Sequence, residues 1–122
     1  MTIFVSGDSN SVRRNGWVAG LIAHPDTPAE VRNISIGGAP SHMSLLRAMR
    51  ETGMGRGDVL IWAYGINDAL YIRNAGYTVD EMIGVLRQII AICADRGVVF
   101  APMIFQPRRP SQIRRKSPYR AA

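Results

Sequence analysis

The stretch DVLIWAYGIND, Asp58 to Asp68, decides how the rest of the chain is read. Seven residues from Asp58 to Tyr64 are almost continuously apolar, β-branched or aromatic, and a glycine-containing polar turn follows at once. A run that short and that uniformly apolar fits a central strand covered on both faces better than a half-exposed one. Working outward, the same alternation recurs. Upstream, EVRNISI (Glu30 to Ile36) reads as a strand. GGAPS then turns into a predicted helix from Ser41 to Thr52, with Leu45, Leu46 and Met49 on its inner side. Downstream, a polar loop is expected to lead to the strongest helix signal in the chain. Thr78 and Glu81 form a capping box there, and Val79, Met82, Ile83, Leu86, Ile90 and Cys93 recur at helical spacing until Gly97. Val98 to Phe105 is the fourth strand. At the amino end, Thr2 to Ser6 is the first strand. Val12 to Ala23 fits a helix capped by Ser9 or Ser11, with Trp17 and Leu21 turned inward and His24-Pro25 at its end.

Strands that alternate with helices in this way predict an α/β fold, a three-layer, flavodoxin-like sandwich. The right-handed crossover rule makes the sheet parallel and puts helices on both faces. Functional residues of such a sheet belong in the loops at the carboxyl ends of the strands, near the point where strand order reverses. Three polar clusters, Gly7 to Ser11, Gly37 to Ser41 and Gly65 to Asp68, each follow a strand and are expected to meet on one edge.

The chain of 122 residues is the size of one domain, assigned to 1–106, with 107–122 a basic, proline-containing loop and the start of a helix. The net charge of +6 resides entirely in that second part. Nine arginines up to residue 106 balance the nine acids, and the excess is Arg108, Arg109, Arg114, Arg115, Lys116 and Arg120. With no aromatics interleaved and no binding module evident, no specific nucleic-acid partner is expected. No apolar run approaches the roughly 20 residues of a membrane span, and no leader pattern opens the chain, so a cytoplasmic location is the expectation. The one cysteine, Cys93, lies among core-type residues and forms no intrachain disulfide. With only two isolated histidines besides, no metal or cofactor is expected.

Ser9 has three readings at a strand-to-helix turn: nucleophile, phosphate ligand or helix cap. Acyl transfer requires a nucleophile and donors aimed at the oxygen that becomes negative, each donor worth roughly 3 to 4 kcal/mol in the transition state. Ser9 with its own N–H, an N–H from Gly37-Gly38 and the Asn67 carboxamide would supply both. Here the sequence resembles a known family. GDSNS after the first strand, NISIGG after the second and GIND after the third are similar to the first three sequence blocks of the SGNH hydrolases, also called GDSL esterases and lipases. The resemblance covers Thr2 to Phe105. It implies a nucleophile at Ser9 and an oxyanion hole of Ser9, Gly38 and Asn67. The expected role of Asp8 is to hold the Ser9 turn, that of Asn33 to bridge the second strand to a neighbouring loop, and that of Asp68 to fix the GIND turn. The implied activity is hydrolysis of short acyl or acetyl esters, carbohydrate esters being one candidate, and acyl transfer to another sugar stays open beside hydrolysis.

The family's late Asp-x-x-His block has no counterpart here. The only histidines, His24 and His42, follow Leu21 and Ala39 at that spacing. His24 is expected to end a helix and His42 to sit on a helix surface. The chain is accordingly expected to be the amino-terminal portion of such a hydrolase, truncated after the fourth strand, with an unpaired sheet edge open to self-association. Two rivals stand beside an active esterase: a catalytically inactive fragment or pseudohydrolase, and a flavodoxin-like phosphate- or flavin-binding module. Asp8 would repel a phosphate in its turn, and that last reading leaves GIND without a task. Arg13 and Arg14, at the start of the expected first helix, are a local inconsistency with its dipole.

Overall fold

A computed structural model of the protein describes residues 1–51 and 53–103. Thr52, the expected end of the fourth strand at Phe105 and the whole 107–122 segment lie outside the described residues. Four strands, β1 (Thr2–Gly7), β2 (Glu30–Asn33), β3 (Val59–Ala63) and β4 (Val99–Pro102), form one parallel sheet in the order β2-β1-β3-β4. The chain therefore steps left from β1 to β2 and then right to β3. Strand order reverses between β1 and β3, where Val5 pairs with Ile61 and Gly7 with Ala63.

β1 is the most enclosed strand, with Phe4, Val5, Ser6 and Gly7 all buried. Alternation along the strands sorts the core into two layers. Phe4, Leu60 and Trp62 join Ala48, Ile89 and Cys93 in one cluster under helices α3 (His42–Arg50) and α5 (Val79–Arg96). Val5 and Val18 are buried outside that cluster, on the side of α1 (Ser9–Val12) and α2 (Trp17–Ala23). Each large apolar side chain so enclosed contributes about 1.5 to 3 kcal/mol. Asp58 ties the amino ends of the central strands together, accepting from the Thr2 N–H (2.8 Å) and, before β3, the Gly55 N–H (2.9 Å). These bonds, the Gly55 one foremost, hold its carboxyl below the usual carboxylate range.

Several elements depart from expectation. The first helix is two pieces. After α1 the chain turns through Arg13 to Gly16, with the Gly16 N–H on the Arg13 carbonyl (3.0 Å), and Gly16 opens α2. Asp8, not Ser9 or Ser11, caps α1. Arg13 thus lies at a helix carboxyl end, where a cation is favoured, while Arg14 precedes the amino end of α2. The loop expected after Gly65 contains a helix, α4 (Ile66–Asn74). In α3 the buried positions are Ser44 and Ala48, with Leu45 half-buried and Leu46 and Met49 exposed. α5 is capped by Thr78, whose hydroxyl accepts from the Glu81 N–H (3.1 Å), but its buried residues are Ile89 and Cys93, while Val79, Ile83 and Ile90 face outward. Beyond Asn33 the ladder continues less regularly, Ile34 and Ile36 donating to Val5 and Gly7.

Candidate active site

The carboxyl edge of the sheet gathers the three polar clusters, and each is tied to a neighbour by a side chain. At the first loop, Gly7 packs so closely that a Cβ there would lie 2.4 Å from Ser11 Oγ and 2.9 Å from the Ala63 carbonyl oxygen. Only glycine lets α1 start directly on the ends of β1 and β3. Asp8 is fully buried and its Oδ1 accepts from the Asn10 N–H (3.0 Å), which sets the turn that presents Ser9 as the first, exposed residue of α1. Asp8 Oδ2 and Ser11 Oγ are buried without a hydrogen-bond partner among the described residues.

Asn33, at the end of β2, donates from Nδ2 to the Ser11 carbonyl (2.7 Å) and accepts from the Ser35 N–H (3.1 Å), so it fastens the second loop to α1. The second loop then reaches Gly38, exposed and at φ +72°. A Cβ at Gly38 would meet nothing within 4 Å, so glycine is required there by the left-handed backbone rather than by crowding from the protein.

The third loop passes into the first turn of α4. Asn67 Nδ2 donates to the Ala39 carbonyl (3.2 Å), next to Gly38. Asp68 is fully buried and accepts from the Ser41 N–H through both oxygens (3.0 and 3.0 Å) and from the Ser41 hydroxyl (2.6 Å). Ser41 occupies the N-cap position of α3, but its side chain makes no capping bond and donates to Asp68 instead. Beneath the loops, the Ser6 hydroxyl and Tyr64 phenol share a hydrogen bond (2.8 Å), and Trp62 Nε1 donates to Ser44 Oγ (3.1 Å), which donates to the Ser41 carbonyl. Burial pushes the Tyr64 phenol above its ordinary value. Ser41, Ser44 and Tyr64 were not singled out by sequence. Polar residues inside apolar segments were the signal available.

The site thus joins Ser9, Gly38 and Asn67 to one edge through Asn33, Asp8 and Asp68. It does not bring in His24, the exposed end of α2, whose Nδ1 accepts from the Asp26 N–H (3.1 Å) at the opposite edge of the sheet. His42 opens α3 and packs edge-on against Tyr71 and Tyr77. Among the described residues no group of three or more His, Cys, Asp or Glu side chains could hold a metal ion. No described helix is long and apolar enough to cross a membrane.

No protein-family model matches the sequence, and no curated protein matches it. Solved structures do. A psychrotrophic esterase from a Pseudoalteromonas species superposes with TM-score 0.67 at 23% identity, over 87% of this chain and 61% of that one. An acetyl xylan esterase gives TM-score 0.72 at 19% identity, over 84% and 57%. A member of the lipolytic G-D-S-L family from Veillonella parvula gives 0.66 at 19%, over 82% and 57%. The fold is that of the SGNH, or GDSL, hydrolases. The chain spans about three-fifths of the length of these structures. Within the SGNH fold, the loops after β1, β2 and β3 are where this chain carries its GDSNS, NISIGG and GIND blocks.

Proposed function

We propose that the protein carries the nucleophile and oxyanion hole of an SGNH-type serine ester hydrolase acting on short acyl or acetyl esters. The observation that carries this reading is the bond from Asn67 Nδ2 to the Ala39 carbonyl. It uses one N–H of the carboxamide to hold α4 against the Gly38 loop and leaves the second N–H for a substrate oxygen. Ser9 Oγ attacks the acyl carbon, and its proton goes to a base. The carbonyl oxygen, now negative, is held by the N–H groups of Ser9 and Gly38 and by Asn67. Collapse expels the alcohol with that proton, and water repeats the sequence on the acyl-enzyme. The acetyl xylan esterase among the structural neighbours makes carbohydrate acetyl esters one candidate substrate. A phosphate-binding reading is disfavoured, because the Asp8 carboxylate lies buried within the turn that would hold the anion.

Among the described residues His24 pairs with the Asp26 N–H and His42 packs on the Tyr71 and Tyr77 rings, so the test supplies the base from solution. With p-nitrophenyl acetate, added imidazole should accelerate release beyond the rate of imidazole alone, and Ser9→Ala should remove that excess. A triad enzyme stripped of a member retains roughly 10³ to 10⁴ over water, ample for detection. An imidazole effect identical in Ser9→Ala would refute the assignment of Ser9.

A further inference from the structure

Two cations stand beside Ser9 that hydrolysis leaves without a task. The Arg13 N–H donates to the Ser9 carbonyl (3.2 Å), the bond that closes α1. Helical residues four apart share one face, with Cβ atoms about 5 to 6 Å from each other. Arg13 therefore stands one turn from the proposed nucleophile on the same face, and both residues are exposed. Gly16 fixes the turn that follows. Its N–H donates to the Arg13 carbonyl (3.0 Å), and a Cβ on it would lie 3.0 Å from the Arg13 Cβ and 3.1 Å from the Asn10 carbonyl oxygen. Arg14, also exposed, is the next residue of this turn. Neither arginine is spent on holding the fold. Among the described residues the ion pairs are those of Arg32 with Glu30 and Glu51, and the arginines whose side chains donate hydrogen bonds are Arg32, Arg47 and Arg96. Arg14 also precedes the amino end of α2, where a cation is disfavoured and the first turn holds no acid. Such a breach of a local rule is expected where function requires it.

The three loops add no exposed negative charge to offset these cations. Asp8 and Asp68 are the acids of segments 7–16, 34–41 and 65–68, and both are fully buried. Asp8 Oδ1 is engaged by the Asn10 N–H, and Arg13 lies about 7.5 Å further along the α1 axis. An anion at Arg13 thus avoids most of the repulsion that disfavours one inside the Asp8 turn. A guanidinium offers a planar fork that fits a carboxylate through two parallel N–H···O bonds. A singly charged carboxylate is also repelled less by Asp8 than a doubly charged phosphate would be. We infer that Arg13, assisted by the field of Arg14, binds a carboxylate carried by the ester and so selects anionic over neutral substrates. This rests on the reading of Ser9 as the nucleophile. It names the substrate class of that same site as a short ester bearing a carboxylate on its acyl or its alcohol half.

The experiment is an NMR titration of the whole chain with amide analogues that resist hydrolysis, observing the Arg13 Nε–H and Ser9 backbone resonances. Para-acetamidobenzoate carries its carboxylate on the alcohol half and glutaranilate on the acyl half. Para-acetamidobenzamide and valeranilide are their neutral counterparts. At least one carboxylate should give saturable shifts at both resonances and bind about threefold to tenfold more tightly than its neutral counterpart. The analogue that does so tells which half of the ester bears the charge. Arg13→Gln should abolish the preference, Arg14→Gln should reduce it less, and added salt should weaken the carboxylate alone. Equal binding of charged and neutral analogues would overturn the proposal. So would a preference unchanged in Arg13→Gln, shifts at Arg13 without shifts at Ser9, or no saturable shift with either carboxylate up to roughly 50 mM. Should Arg13→Gln not fold, the charged and neutral titrations of the wild type and their salt dependence still decide. Binding without turnover is what this experiment reads, so its failure leaves the Ser9 chemistry standing, and failure of imidazole rescue leaves the carboxylate site standing.

Discussion

Removing the Asp68 carboxylate should cost the protein a large part of its stability. Asp68 and Ser41 are both fully buried, and the carboxylate is the acceptor for two Ser41 donors, the N–H and the hydroxyl. In Asp68→Ala both donors lose their partner inside the protein, at about 1 to 3 kcal/mol each. Relief of the buried charge offsets part of this, so the net loss should be about 2 to 4 kcal/mol. Domains of this kind are stable by only about 5 to 15 kcal/mol, so the variant sits near the threshold of folding. In a urea titration read by far-ultraviolet circular dichroism, with a slope of about 1 to 3 kcal/mol per molar, the midpoint should fall by roughly 2 M. Asp68→Asn keeps the volume and one acceptor but sets an amide N–H against the Ser41 N–H, so its loss should be intermediate. Ser41→Ala removes only the hydroxyl bond and should cost less than Asp68→Ala. A loss below about 1 kcal/mol in Asp68→Ala, or equal losses in the alanine and asparagine variants, would refute this account of the loop.

Three further outcomes follow from the same geometry. Gly7→Ala places a methyl 2.4 Å from Ser11 Oγ and 2.9 Å from a backbone oxygen that cannot swing aside, so it should cost about 1 to 3 kcal/mol or more and lower the urea midpoint accordingly. Gly38→Ala meets no steric obstacle within the protein, yet its φ of +72° should cost about 1 to 2 kcal/mol, and imidazole-assisted acylation of Ser9 should fall as the loop relaxes. Asp58 is held below its ordinary value of 3.8 by the Gly55 and then the Thr2 N–H. The stability it confers is therefore present above the unfolded value and lost as pH falls through the lower folded one. Asp58→Asn should be less stable at neutral pH and change less than the native chain between about pH 5 and pH 2, as followed by thermal unfolding.

The strands were legible because each is a short apolar run that ends at a polar turn, and β3 in particular is too short and too uniformly apolar to be anything but central. Helix α4 was not legible, since Gly65-Ile66-Asn67-Asp68 carries turn residues where its first turn lies, and the apolar residues after it do not mark one face: Leu70 and Tyr71 are exposed while Ile72 is half-buried. The inner stripe of α5 was legible in part: Met82, Leu86 and Cys93 do pack on the core, while Val79, Ile83 and Ile90 face outward. Ile89 and Ile90 are adjacent, so two stripes about one residue apart fit the pattern equally, and packing against the sheet core selects the one through Ile89 and Cys93. The residue types of the site could be read one loop at a time. The pairing of Ser41 with Asp68, 27 residues apart, could not, because nothing in either segment names the other.

Those pairings bear on how the proposed oxyanion donors are held, apart from the base that the reaction also needs. Asn33 joins the second loop to the first, Asp68 joins the third to the second, and Asn67 binds the residue beside Gly38. Each tie runs between loops that follow different strands, so the proposed oxyanion donors are positioned only when the sheet is assembled and all three loops are in place. An oxyanion hole acts through such preorganisation, its dipoles already oriented before charge develops. In the proposed reaction, deprotonation of Ser9 is a separate requirement that no tie in this set serves. The donors and the general base are therefore physically independent here, which is why a diffusible base is a fair substitute, and why a change at Asp68 should weaken imidazole-assisted acylation even though Asp68 touches neither Ser9 nor the substrate.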